Sequence, residues 1–144
     1  MRSRNPACSH RLRLGRYSEP GRAYLVTTVV DGRWQPFDDW NAARVCAYSL
    51  HTAPRDSAIT PLAWVVMPDH VHWLFRLDDG PLDRVMQRFK SRSARAVNTA
   101  LARHGRVWQP GYHDHGVRAE RDLRRLARYV IANPVRAGLV APVM

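Results

Sequence analysis

Apolar and polar positions alternate along this chain in two different periods, and the switches between them mark its elements. A-Y-L-V-T-T-V-V, residues 23–30, is dense in β-formers and predicts a strand, with D-G-R after it as a turn. Residues 38–52, D-D-W-N-A-A-R-V-C-A-Y-S-L-H-T, carry helical spacing. Asp38 or Asp39 is placed to cap that helix, and Trp40, Val45, Tyr48 and Leu50 are among its apolar positions. T-A-P-R-D-S breaks the chain, and residues 59–67 and 71–77 predict two further strands. Met67-Pro68-Asp69 leaves room only for a tight connection, so the two strands are expected to run antiparallel. Residues 81–103 predict a long helix with an apolar stripe of Leu82, Val85, Phe89, Ala96, Val97 and Ala100. W-Q-P-G-Y-H-D-H-G-V-R predicts a loop with a short extended piece. Residues 119–133 predict the last helix, packed through Leu123, Leu126, Val130 and Ile131 and stopped by Pro134.

Strand, helix, strand, strand, helix, short strand, helix is the order of an α+β fold, an antiparallel central sheet with helices packed on it. No repeat or long linker interrupts the order, so one domain is expected over residues 1–144, with residues 1–20 an irregular basic arm. A chain of 144 residues buries enough surface to fold without staples. It has no apolar run of about 18 residues, so no transmembrane helix is expected, and no membrane is counted among its partners. The two cysteines, Cys8 and Cys46, make no disulfide framework and point to a reducing, cytoplasmic setting.

Charge changes the picture. The net charge is +11, which favours a polyanionic partner, nucleic acid before an anionic membrane. Lys90 is the only lysine; the other basic residues are arginine, whose planar fork binds phosphate bidentately and stacks on bases. No acid occurs between Asp83 and Asp114, while Arg84, Arg88, Arg92 and Arg95 recur at helical spacing inside that interval. Arginine on this face and in residues 1–16 of the arm is expected to track phosphates. Trp34, Trp40, Trp73, Trp108 and Tyr112 include candidate stacking platforms for bases; the core is the commoner address for each tryptophan, and Trp108 and Tyr112, in a polar loop, are the best exceptions.

The candidate chemistry begins at W-V-V-M-P-D-H-V-H-W-L, residues 64–74. Side chains alternate along a strand, so His70 and His72 share one face and Val71 takes the other. Two imidazoles placed so can hold a divalent cation or serve as ordinary structural histidines, and spacing alone does not choose. His113-Asp114-His115 repeats the spacing. The last helix offers Tyr129 and Asn133 at i, i+4 on one face, with Arg125 one turn earlier.

M-P-D-H-V-H-W-L, W-Q-P-G-Y-H-D-H-G-V-R and Y-V-I-A-N-P-V-R-A-G-L-V, in this order and spacing, resemble the single-tyrosine HUH transposases, and more narrowly the REP-associated tyrosine transposases. The resemblance spans roughly residues 20–140. It implies a ferredoxin-like layout and metal-dependent cleavage and strand transfer of single-stranded DNA through a 5′-phosphotyrosine. In that reading His70, His72 and Asn133 hold Mg²⁺ or Mn²⁺, and Tyr129 is the nucleophile. His115 and Arg118 fall in the W-Q block and join the DNA-binding set. Asp69 stands where many relatives carry Asn, an exchange expected to leave the chemistry untouched. Tyr129, near the end of its helix, is expected to feel the negative dipole end, with Arg125 to offset it. The implied partner is single-stranded or hairpin DNA of REP-like repeats, met by a monomer or homodimer at a bacterial nucleoid. The competing reading is a domesticated protein that binds structured DNA without cutting it.

Overall fold

A computed structural model describes residues 21–52 and 58–136, the last four of these by backbone alone. The expected basic arm, residues 1–20, and Cys8 lie outside the described residues. Four strands form one sheet: β1 (Ala23–Val29), β2 (Ile59–Met67), β3 (His70–Leu77) and β4 (His113–Val117). Their order is β2-β3-β1-β4, every neighbour antiparallel. Helix α1 (Trp40–His51) joins β1 to β2, α2 (Leu82–Leu101) joins β3 to β4, and α3 (Glu120–Arg136) follows. This is the ferredoxin-like split βαβ layout the sequence implied.

Alternation along β3 assigns the two faces. Val71, Trp73, Phe75 and Leu77 meet Tyr24, Val26 and the inner sides of α1 and α2 in the main core. Its centre is a run of rings, with Phe37–Trp108, Trp108–Phe89 and Phe89–Trp73 centroids 5.7, 5.7 and 5.0 Å apart. Each such contact contributes roughly 0.5–1.5 kcal/mol beyond simple burial. The opposite face carries His70, His72 and Leu74. There α3 covers a smaller core of Ala63, Val65, Leu74, Val117 and Val130, with Leu123, Leu126 and Ala127 against it. Pro61 sits on β2, an edge strand where its missing N–H is tolerated, and the ladder shifts register between Pro61 and Ala63.

Several packing expectations are corrected. Helix α1 is capped by Asp39, whose carboxylate accepts from the Ala42 N–H at 3.0 Å. It buries Ala42, Cys46, Ser49 and Leu50, while Trp40 and Tyr48 are 76% and 63% exposed. The side facing the sheet takes small residues and one leucine, and the large rings are left outside. Helix α2 packs through Leu82, Val85, Met86, Phe89, Ser93 and Val97, so its stripe passes beside Ala96 and Ala100. Ser93 is tolerated inside because its hydroxyl donates to the Phe89 carbonyl at 2.7 Å and accepts from Trp108 Nε1 at 2.9 Å. Ile131 is exposed, and α3 runs through Pro134 to Arg136. Proline forfeits one N–H bond and crowds the carbonyl four residues before it, which biases a helix to end without forbidding it, so the stop expected at Pro134 is not where α3 ends.

Trp108 and Tyr112 are core residues, 4% and 6% exposed, not platforms for bases. The polar letters around them misled: the chain here is pinned to the core edge. Gln109 N–H donates to the Val29 carbonyl at 2.9 Å, and Lys90 Nζ donates to the Gln109 and Gly111 carbonyls at 2.6 Å. Burial pulls the Lys90 ammonium down to about 8, so it still carries its proton at neutral pH. Among the described residues, no helix is long and apolar enough to cross a membrane.

Replacing Trp108 with alanine is expected to cost about 3–5 kcal/mol in urea unfolding, the usual range for a core ring. A loss below about 1 kcal/mol would contradict its place in the core.

Candidate active site

The turn that carries the histidine pair is tied down by backbone. Pro68 and Asp69 connect β2 to β3, with Met67 paired to His70. Val30 N–H donates to the Asp69 carbonyl at 2.9 Å, and Phe37 N–H to the Pro68 carbonyl at 3.2 Å. His70 and His72 then stand on the α3 face, their ring centroids 4.9 Å apart. Cross-strand pairing sets Val65, His72, Thr27 and His113 in one row across the sheet.

Each ring is held through Nδ1. The Asp69 carboxylate accepts from His70 Nδ1 at 2.8 Å. The hydroxyl of Thr27 lies 2.9 Å from His72 Nδ1. A carboxylate only accepts, so Nδ1 of His70 carries the proton and Nε2 is the nitrogen available as a donor atom. The same pattern at His72 would leave both Nε2 atoms for one cation, the arrangement common among metal-bound histidines. Burial, helped by the neighbouring His70, pulls the His72 ring down to about 4, so it is neutral at neutral pH, as a ligand must be. Among the described residues no group of three His, Cys, Asp or Glu side chains gathers around a metal-sized site. A cation held by the pair would need a donor of another kind to complete its shell.

Asp69 is anchored in turn. Arg33 donates from Nε and Nη2 to Asp69 Oδ2 at 3.0 and 2.9 Å. Burial opposes ionisation of Asp69, but the His70 hydrogen bond and the Arg33 charge outweigh it and hold the carboxyl below its ordinary range. Arg33 reaches it from a left-handed backbone, φ 56°, just after Gly32 at φ 73°. Asp in place of Asn is thus not neutral here: it adds a charge that orients His70 and pairs with Arg33. Thr27, Arg33 and Asp69 went unrecognised as site residues. The available signal was the register of Thr27, on the same sheet face as His72, and a carboxylate beside the first histidine.

Tyr129 comes to this pair from α3. Its ring centroid lies 6.2 Å from that of His72, edge to face, and the side chain is 42% exposed. Val130, next along the helix, is fully buried and fixes that rotation. Because α3 continues to Arg136, Tyr129 sits roughly two turns before its end, outside the last turn where the dipole acts. The dipole penalty expected at Tyr129 therefore falls away. Arg125 is exposed one turn earlier. Asn133 is helical, but its side chain lies outside the described residues.

The remaining candidates divide between two layers. His113, His115 and Val117 share the α3 face, and both histidines are exposed on β4. Arg118 joins Arg22 and Arg76 around a cavity of about 610 Å³ near the start of α3. Arg84, Arg88 and Arg95 are exposed on α2, and Arg92 is half-buried there. That helix packs on the other side of the sheet, so the structure does not bring this row to the histidine pair.

Comparison with known proteins places this geometry. Residues 22–133 match the family described as transposase, IS200-like. The chain is 30% identical over 96 residues to the REP-associated tyrosine transposase of Escherichia coli (strain K12), covering 67% of this chain and 56% of that protein. It thus spans little more than half the length of that relative. A solved REP-associated tyrosine transposase bound to a REP hairpin superposes with a TM-score of 0.67 at 25% identity, covering 87% of this chain and 73% of that one.

Removing the Asp69 carboxylate while keeping the turn, as Asp69→Ala, is expected to weaken Mn²⁺ binding by about 10- to 100-fold, read by electron paramagnetic resonance. Unchanged affinity would mean that Asp69 does not orient a ligand.

Proposed function

The chain belongs to the IS200-like transposase family, and on that premise we propose that it cuts and rejoins single-stranded DNA beside hairpins through Tyr129. The observation that carries this reading is the meeting of His70, His72 and Tyr129 on one sheet face, with the Tyr129 ring 6.2 Å from His72. A protein that only binds DNA has no use for two oriented imidazoles beside an exposed phenol. The hairpin-bound relative supports hairpin DNA as the partner.

In the proposed reaction the Tyr129 oxygen attacks the scissile phosphorus. The Oη–P bond forms as the P–O3′ bond breaks. The phenol proton passes to solvent or a nearby base, and the departing 3′ oxygen takes one up. The product is a 5′-phosphotyrosine and a free 3′-OH. The ester keeps the energy of the broken bond, so attack by a 3′-OH can reseal a strand without a nucleoside triphosphate.

A phenol, with an unperturbed pKa of about 10, is a weak nucleophile at neutral pH, so positioning and charge neutralisation must supply the rate. Val130 holds the rotation of α3, and the Thr27 and Asp69 contacts hold the two rings. Mg²⁺ or Mn²⁺, held by His70, His72 and Asn133, would polarise the scissile phosphate there. Arg125, exposed on α3, and Arg118, at its cavity, would meet flanking phosphates.

With hairpin-flanked single-stranded DNA and Mn²⁺, the protein is expected to form a covalent adduct on a denaturing gel, and Tyr129→Phe to form none while retaining hairpin affinity within about twofold. A water-driven nuclease would keep cutting in Tyr129→Phe. A wild-type protein that binds hairpins but yields no adduct would instead be a non-cleaving binder.

A further inference from the structure

The row of arginines on α2 needs an explanation of its own, because it faces away from the histidine pair. Between α1 and α2, on the side turned from the sheet, runs a groove of about 770 Å³ whose charged lining consists of Arg44, Arg92 and Arg95. Asn41, Val45 and Thr99 complete much of the wall, and no carboxylate lines it. Among the described residues, Arg44 donates to Asn41 Oδ1 at 3.5 Å and Arg95 to Ser91 Oγ at 3.0 Å. Arg92 donates to the Ser49 carbonyl at 3.4 Å, which keeps its guanidinium at the seam of the two helices.

Trp40 and Tyr48 stand on the same α1 surface as Arg44, at i−4 and i+4. Among the described residues they are the most exposed tryptophan and tyrosine, at 76% and 63%. A solvated charged face does not ordinarily carry uncovered tryptophan, and an apolar dimer seam does not ordinarily carry clustered arginines without carboxylates. Cationic side chains interleaved with open rings suit a polyanion that also offers flat apolar faces. Unpaired nucleic acid has both, whereas a duplex hides its bases and a lipid headgroup has no ring to stack.

We propose that the α1–α2 groove is a second single-strand DNA site, holding a segment other than the one cut at Tyr129. The sheet and the helical layer, each roughly 10 Å thick, separate the two surfaces, so one short stretch of DNA cannot occupy both. A strand leaving the reaction face would pass round the sheet edge to reach the groove. This rests on the reading of the protein as a DNA-processing transposase and assigns part of that DNA a place.

The test is metal-free binding of a fluorescent oligothymidylate to the full chain across a salt series. It involves no cleavage, so its outcome is independent of whether Tyr129 forms an adduct. In Arg44→Gln/Arg95→Gln the slope of log affinity against log salt is expected to become shallower by about 1.4, the share of two single-strand phosphate contacts. In Trp40→Ala/Tyr48→Ala, substitutions at exposed positions that leave the core intact, affinity is expected to fall at least about tenfold with the slope kept. Unchanged affinity and slope in both variants would overturn the proposal. So would equal losses with a blunt duplex or anionic vesicles, or a wild-type dimer in sedimentation that the aromatic variant dissolves.

Discussion

One strand divides this protein into a structural side and a chemical side. In β3 every second residue is sealed into the aromatic core, Val71, Trp73, Phe75 and Leu77, and those between them turn to the other face. Because strand period is two, the core fixes the histidines: with Val71 and Trp73 buried, His72 can only point outward to α3. A slip of one residue would bury both imidazoles and expose two aromatic rings. The cost of that slip is the reason the pair is held to one face, and the Pro68-Asp69 turn, hydrogen-bonded from Val30 and Phe37, adds a second lock.

What local period controls was legible in the chain. The strands, the hairpin, the helix order and the shared face of His70 and His72 all follow from spacing and turn chemistry. What depends on a tertiary partner was not. Trp108 and Tyr112 sit among polar letters, yet the Trp108 indole finds Ser93 and the Tyr112 phenol finds Asp83. Trp40 and Tyr48 read as apolar positions of a helix whose inner face is filled by smaller side chains. Pro134 read as a stop, although proline only biases a helix to end, and α3 carries it to Arg136. Asp69 read as a bystander because its two partners, Arg33 and His70, meet it only through the turn.

The surplus positive charge has two addresses. Arg76, Arg118 and Arg125 belong to the side of the sheet that carries the histidines, Tyr129 and α3. Arg44, Arg92 and Arg95 belong to the groove across the molecule. A nucleic acid engaged by both would be bent round a small domain, which separates holding the DNA from cutting it. On the proposed reading, such a division would let base-independent contacts supply affinity while the pair of imidazoles and one phenol supply the reaction.

The central claim is that His70 and His72 present Nε2 to one cation on the Tyr129 side of the sheet. Anomalous diffraction from crystals soaked in Mn²⁺ tests it most directly. The account predicts one strong peak within coordination distance of both Nε2 atoms, on the face that α3 covers. A peak at His113 and His115 with none at His70 and His72, or ligation through Nδ1 with the Asp69 and Thr27 contacts broken, would contradict it.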